Sequence, residues 1–192
     1  KNATRDAAQT YAQIYEIANQ AGIDKVPESA IIYLRHGIYQ AGEVWYSLQF
    51  QADLQKAVPM LERFVELVDS GTFGDPNDPE LKELVKKAMN YVASSYFQLA
   101  RYADLDPQIF EKSNQAFKKL VSRFPNDPKA PEWQYTAAEA HFASGRYQEA
   151  IEEYEKVVEM NPQHENAPDA LYAISTCYSA ISEETDDPDK KQ

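Results

Sequence analysis

Ala137-Ala138-Glu139-Ala140-His141-Phe142-Ala143-Ser144-Gly145-Arg146-Tyr147-Gln148-Glu149-Ala150-Ile151-Glu152-Glu153-Tyr154-Glu155-Lys156-Val157-Val158-Glu159-Met160-Asn161-Pro162 is the stretch that decides the fold. Its apolar residues recur three or four apart, the period of amphipathic helices. It reads as the end of one helix, begun near Pro131, followed by another from Tyr147. The flanks repeat. Phe124-Pro125-Asn126-Asp127-Pro128-Lys129-Ala130-Pro131-Glu132 recurs as Asn161-Pro162-Gln163-His164-Glu165-Asn166-Ala167-Pro168-Asp169, at an offset of 37 residues. That offset also pairs Tyr135 with Tyr172, Ala138 with Ser175, Ala140 with Cys177 and His141 with Tyr178. A second match joins Tyr96-Phe97-Gln98-Leu99-Ala100-Arg101-Tyr102 to His141-Phe142-Ala143-Ser144-Gly145-Arg146-Tyr147. A fixed period of this size marks stacked supersecondary units.

Working outward, strand signals are nearly absent and about eight helices are expected. The first runs near Thr4–Ala21, with Ala7, Tyr11, Ile14, Tyr15 and Ala18 on one face, and Gly22 ends it. The second opens at Pro27-Glu28, runs to about Phe50 and is apolar around much of its circumference. Pro59 starts or kinks the third, because proline removes a helix donor and clashes with the preceding turn. Residues 70–79 form the longest loop. Asp78-Pro79 and Asp106-Pro107 each pair a capping carboxylate with proline at the first helical position, opening the fourth and fifth helices. The eighth begins near Pro168.

These residues resemble the tetratricopeptide repeat family. On that likeness Ala138 is the small residue that lets helix A approach helix B, Gly145 gives the reversal, Ala150 packs at the crossing, Tyr154 fills the space between helices and Pro162 stops helix B. The likeness is sharpest over 131–162. Between Tyr102 and Pro125 the hairpin is longer, and Ser113 replaces the helix B alanine. The expected fold is all-α, a right-handed solenoid of antiparallel helix pairs, since each unit needs its neighbours to bury its apolar face. One domain over 1–182 is expected, with an N-terminal helix at 1–22, units near 27–70, 79–125 and 131–162, and an incomplete one at 168–192. Residues 183–192 read as a charged tail or a truncated continuation. The spacing and the linkers, of P-x-D/E-x-x-A type, look like the bacterial envelope branch, which includes outer-membrane assembly lipoproteins and the coordinator of the Tol–Pal system. That likeness implies a periplasmic or outer-membrane-associated address.

Composition agrees with a folded helical chain. Hydrophobic residues make up 43% of it and aromatics 12%, enough for a core, while 6 Gly and 11 Pro are too few for a disordered chain. The net charge of -12 repels phosphate backbones, so no nucleic-acid partner is expected and a basic or neutral protein is. Acidic helix faces also serve solubility alone. No run is apolar enough to span a membrane, and no signal peptide is visible at Lys1, which leaves the address open.

No chemistry-bearing constellation emerges. Cys177, the single cysteine, forms no intrachain disulfide and reads as a small core filler. His36, His141 and His164 match no metal or catalytic spacing, and His141 reads as a packing residue. Glu152-Glu153-Glu155 reads as a solvated face, and Asp186-Asp187-Asp189 as an acidic loop without a calcium-loop glycine. Phosphate loops, nucleophile elbows and dinucleotide fingerprints are absent. No cofactor, metal or catalytic residue is therefore assigned, and the chain reads as a non-enzyme.

The resemblance implies instead a concave protein-binding face made by helix A residues: Asn90, Ser94, Phe97 and Gln98; then Tyr135, Glu139, Phe142 and Ala143; then Tyr172, Thr176 and Ser179. Aromatics beside hydrogen-bonding groups suit peptide recognition, although Phe97, Phe142 and Tyr172 also fit packing between units. The basic clamp that some members use for a C-terminal carboxylate is not evident. Competing readings are self-association through the tyrosine-rich helices or the C-terminal helix, and a non-catalytic domain of a larger regulator or enzyme.

Overall fold

The computed structural model describes residues 2–186 and is all-helical over them, with no strand among the described residues. The eight α-helices are α1 (Asn2–Ala21), α2 (Glu28–Leu48), α3 (Gln51–Asp69), α4 (Pro79–Tyr102), α5 (Pro107–Arg123), α6 (Ala130–Ala143), α7 (Tyr147–Met160) and α8 (Ala167–Asp186). The fold class is the one expected, all-α and tetratricopeptide-like. Helix α8 continues through Glu183–Asp186, where a tail was expected to begin. Asp187, Pro188 and Asp189 lie outside the described residues. The chain divides into two compact units, one up to Leu99 and one from Ala100, with the boundary inside α4.

In the first unit α1 packs on α2, and α2 on α3. The buried face of α1 is Ala8, Ala12 and Tyr15, whereas Tyr11 and Ile14 are exposed. This corrects the expected stripe in part: Tyr15 is buried as expected, but Ala8 and Ala12 take the places of Ala7, Tyr11 and Ile14, and Ala18 is half-buried. Gly42 of α2 allows a close approach, because a Cβ there would lie 2.5 Å from Leu61 Cγ of α3. Helix α2 is buried along Leu34, Ile38, Ala41 and Trp45, but Ile32 and Tyr33 are exposed. Gln49, with φ of 58°, breaks α2, and α3 starts at Gln51. Pro59 therefore lies inside α3 and does not open it; it is exposed, and the helix runs through it. The buried Asp53 of α3 takes a bidentate pair from Arg5 of α1, with Nη2 at 2.5 Å and Nε at 3.1 and 3.2 Å. Phe73 folds back from the loop against Phe64, ring centres 6.2 Å apart.

Both proline-primed caps form as expected. Asp78 Oδ1 accepts from the amides of Glu80 and Leu81 at 2.9 and 3.0 Å, and Asp106 Oδ1 accepts from Gln108 at 2.8 Å.

The second unit stacks α5, α6, α7 and α8 in sequence, each on the next. Its internal repeat is visible in the linkers. Asp127 Oδ1 accepts from Lys129 N at 2.9 Å, and His164 Nδ1 accepts from Asn166 N at 3.2 Å, at the 37-residue offset. His164 thus stands where the first linker has its acid, so only Pro125–Ala130 carries the P-x-D-x-x-A pattern in full. Gly145 reverses the chain at φ 73°, with Arg146 N bonding back to the His141 carbonyl at 3.0 Å. The core of the hairpin is Ala138, Ala150, Ile151, Tyr154 and Val157, extended by Ala170 and Cys177 of α8.

Candidate protein-binding faces

Tyrosine hydroxyls tied to glutamates shape both units. In the first, Glu43 Oε1 accepts from Tyr39 at 3.0 Å and Tyr91 at 3.3 Å, and Tyr91 stacks on Tyr46 with centres 4.3 Å apart. Glu62 accepts from Tyr96 at 3.0 Å; burial first, then this carboxylate, pushes the Tyr96 phenol up to about 12. The expected face residues Asn90, Ser94, Phe97 and Gln98 form one stripe of α4, and all four are half-buried.

In the second unit Tyr154 donates to Glu139, and its ring lies 5.5 Å from that of Tyr135. Burial, and then Glu139, push the Tyr135 phenol up to about 12. Phe142 packs edge-on to Tyr147 at 5.6 Å. Tyr135, Glu139 and Phe142 are therefore half-buried and built into the hairpin, and Ala143 is half-buried beside them. The α8 residues differ. Tyr172 is 76% exposed, Ser179 is exposed and Thr176 is half-buried. Both hydroxyls donate to their own helix, Thr176 to the Tyr172 carbonyl at 3.2 Å and Ser179 to that of Ser175 at 3.1 Å. What they offer a ligand is acceptor lone pairs.

Glu152 and Glu155 are solvated as expected, but Glu153 is buried. It is held by Lys118 at 2.9 Å, Gln134 at 2.6 Å and Lys156 at 3.1 Å. Burial raises its proton affinity, and these three bonds together outweigh that and keep the carboxyl below the ordinary carboxylate range. Residue type alone did not reveal it; the signal was position, since Glu153 immediately precedes the core Tyr154 on the face turned to α6. Arg146 clasps both Glu111 and Glu149. His141 is buried as expected of a packing residue, and burial, then Arg146, lower its proton affinity. Cys177 is buried in the core. Among the described residues no three His, Cys, Asp or Glu side chains converge as metal ligands, and no helix is long and apolar enough to cross a membrane.

The geometry defines a class first: antiparallel helix hairpins stacked through small residues, with a glycine reversal. The particular match then follows, for a tetratricopeptide repeat family model matches residues 131–164, and a repeat of that type is present there. No curated protein matches the chain. Among solved structures it is similar to one entitled "DHF58 filament", at 14% identity and a TM-score of 0.31, over 94% of this chain and 80% of that one.

Proposed function

We propose that the chain is a non-catalytic scaffold that holds a partner protein by an extended or helical segment laid along its helix A faces. The observation that carries this reading is Tyr172, an aromatic left 76% exposed at the position where the preceding repeat has the half-buried Tyr135. Large exposed aromatics flanked by hydrogen-bonding groups are the usual anchors of protein recognition. In the second unit the face comprises Tyr135, Glu139, Phe142, Tyr172, Thr176 and Ser179; in the first it comprises Asn90, Ser94, Phe97 and Gln98. The net charge of -12 favours a basic partner. A place in a bacterial envelope assembly is the setting the linkers favour, on the strength of Pro125–Ala130.

Site-specific photo-crosslinking tests this. A crosslinker in place of Tyr172 should capture a partner polypeptide from native extract, and the same group in place of the exposed Glu155 of α7 should not. Equal capture at both positions, or none at Tyr172, removes the helix A face from the reading.

A further inference from the structure

Charge in the second unit is segregated by element. Helix α5 carries Lys112, Lys118, Lys119 and Arg123 against one acid, Glu111. Helices α6 and α8 carry no Lys or Arg. The only Lys or Arg between Ala130 and Asp186 are Arg146 and Lys156, and both are engaged: Arg146 holds Glu111 and Glu149, and Lys156 holds Glu153. The helix A faces of α6 and α8 thus have carboxylates and no cation of their own.

On α8 one stripe, spaced three and four residues apart, reads Asp169, Tyr172, Thr176, Ser179 and Glu183. Asp169 and Glu183 are exposed, so a carboxylate stands one turn from the open ring of Tyr172. Thr176 and Ser179 spend their donors on their own helix. On α6, Glu139 accepts from both Tyr135 and Tyr154. Burial, then Glu139 and last Asp169 push the Tyr135 phenol up, so the α8 carboxylate lies near the α6 face. Tyr172 apart, the polar groups of the α8 stripe accept hydrogen bonds and donate none outward.

We propose that the partner segment is recognised through an arginine whose guanidinium lies on the Tyr172 ring and donates to Asp169, an inference that rests on the reading of this face as a protein-binding one. A guanidinium has five N–H donors and no acceptor, the complement of such a surface. Its plane stacks on an aromatic ring while its edge forks onto a carboxylate, which the compact ammonium of lysine cannot do at once. Glu183, about 21 Å along the axis at 1.5 Å per residue, takes a second cation of the same segment.

Two fluorescein-labelled peptides of equal charge, hexa-arginine and hexa-lysine, test this by anisotropy titration of the intact chain; extended, each spans about 20 Å. Hexa-arginine should bind the more tightly. Tyr172→Leu should weaken it about two- to fivefold and leave hexa-lysine unchanged. Asp169→Asn should weaken hexa-arginine more than Glu155→Gln, which removes the same charge from the exposed side of α7. Tyr178→Leu, on another side of α8, should leave the preference intact. Equal binding of the two peptides, no binding of hexa-arginine, or a preference that survives Tyr172→Leu overturns the arginine site. The underlying reading fails separately. Should a crosslinker at Tyr172 capture a partner that excess hexa-arginine does not displace, the binding face stands and the arginine inference falls. Should it capture nothing, the face loses its partner, while the peptide titrations still decide the arginine site.

Discussion

Glu139 takes the Tyr154 hydroxyl in the second unit much as Glu43 takes those of Tyr39 and Tyr91 in the first. Each glutamate is a half-buried acceptor whose value lies in being occupied. Tyr154→Phe leaves Glu139 short of a donor beside a filled core and should cost about 1–3 kcal/mol, read as a lower denaturant midpoint at unchanged slope. At Gly42 the limit is space: Gly42→Ala should cost about 1–3 kcal/mol by overpacking Leu61, read in the same way. Titration is also a residue-scale property. The buried His141 binds its proton less readily than in an unfolded chain, whose ordinary value is 6.5. Its contribution is complete above about 6.5 and drains away as the pH falls below it. Glu153 and Glu111 are held below 4.5, the latter because bonds from Gln115 and Arg146 outweigh its burial. Their contribution is complete above about 4.5 and is lost as the pH falls through their lower folded values. Stability measured against pH should therefore decline in two stages. His141→Tyr, the residue at its counterparts Tyr96 and Tyr178, should remove the first stage, and Glu153→Gln should flatten the second.

The helices owe their boundaries to local chemistry. Asp106→Ala should cost about 1 kcal/mol by leaving the Gln108 amide without its acceptor, and His164→Asp, giving the second linker the cap of the first, should stabilise the start of α8 in hydrogen exchange. Where such devices exist the starts were legible: Asp78-Pro79, Asp106-Pro107 and the repeated linkers placed the starts of α4, α5, α6 and α8 within about a residue. The buried face was not legible where two helical stripes compete. On α1 the expected Ala7, Tyr11, Ile14, Tyr15 and Ala18 keep the period as well as the observed Ala8, Ala12 and Tyr15, and only packing against α2 decides between them. Of the two readings of Pro59, that it starts the third helix fails, because it stands on the exposed side of α3, where the carbonyl its missing N–H would have bonded can meet water. For the proposed binding face, the family resemblance marked Tyr172 but not the degree to which Tyr135, Glu139 and Phe142 are tied into their own hairpin.

For the chain as a whole the dominant long-range property is the net charge of -12. Association with a basic partner should be fast at low salt and slow steeply as ionic strength rises, whereas the off-rate should change little; stopped-flow measurement over a salt series would separate the two. Cys177 carries a further consequence. It is the chain's only thiol, and α7 and α8 close over it completely. A thiol-specific reagent can reach it only when those helices part, so the rate of labelling is a built-in clock for their opening, with no engineered reporter needed. A partner held on the proposed Tyr172 face of α8 should keep that clock slow.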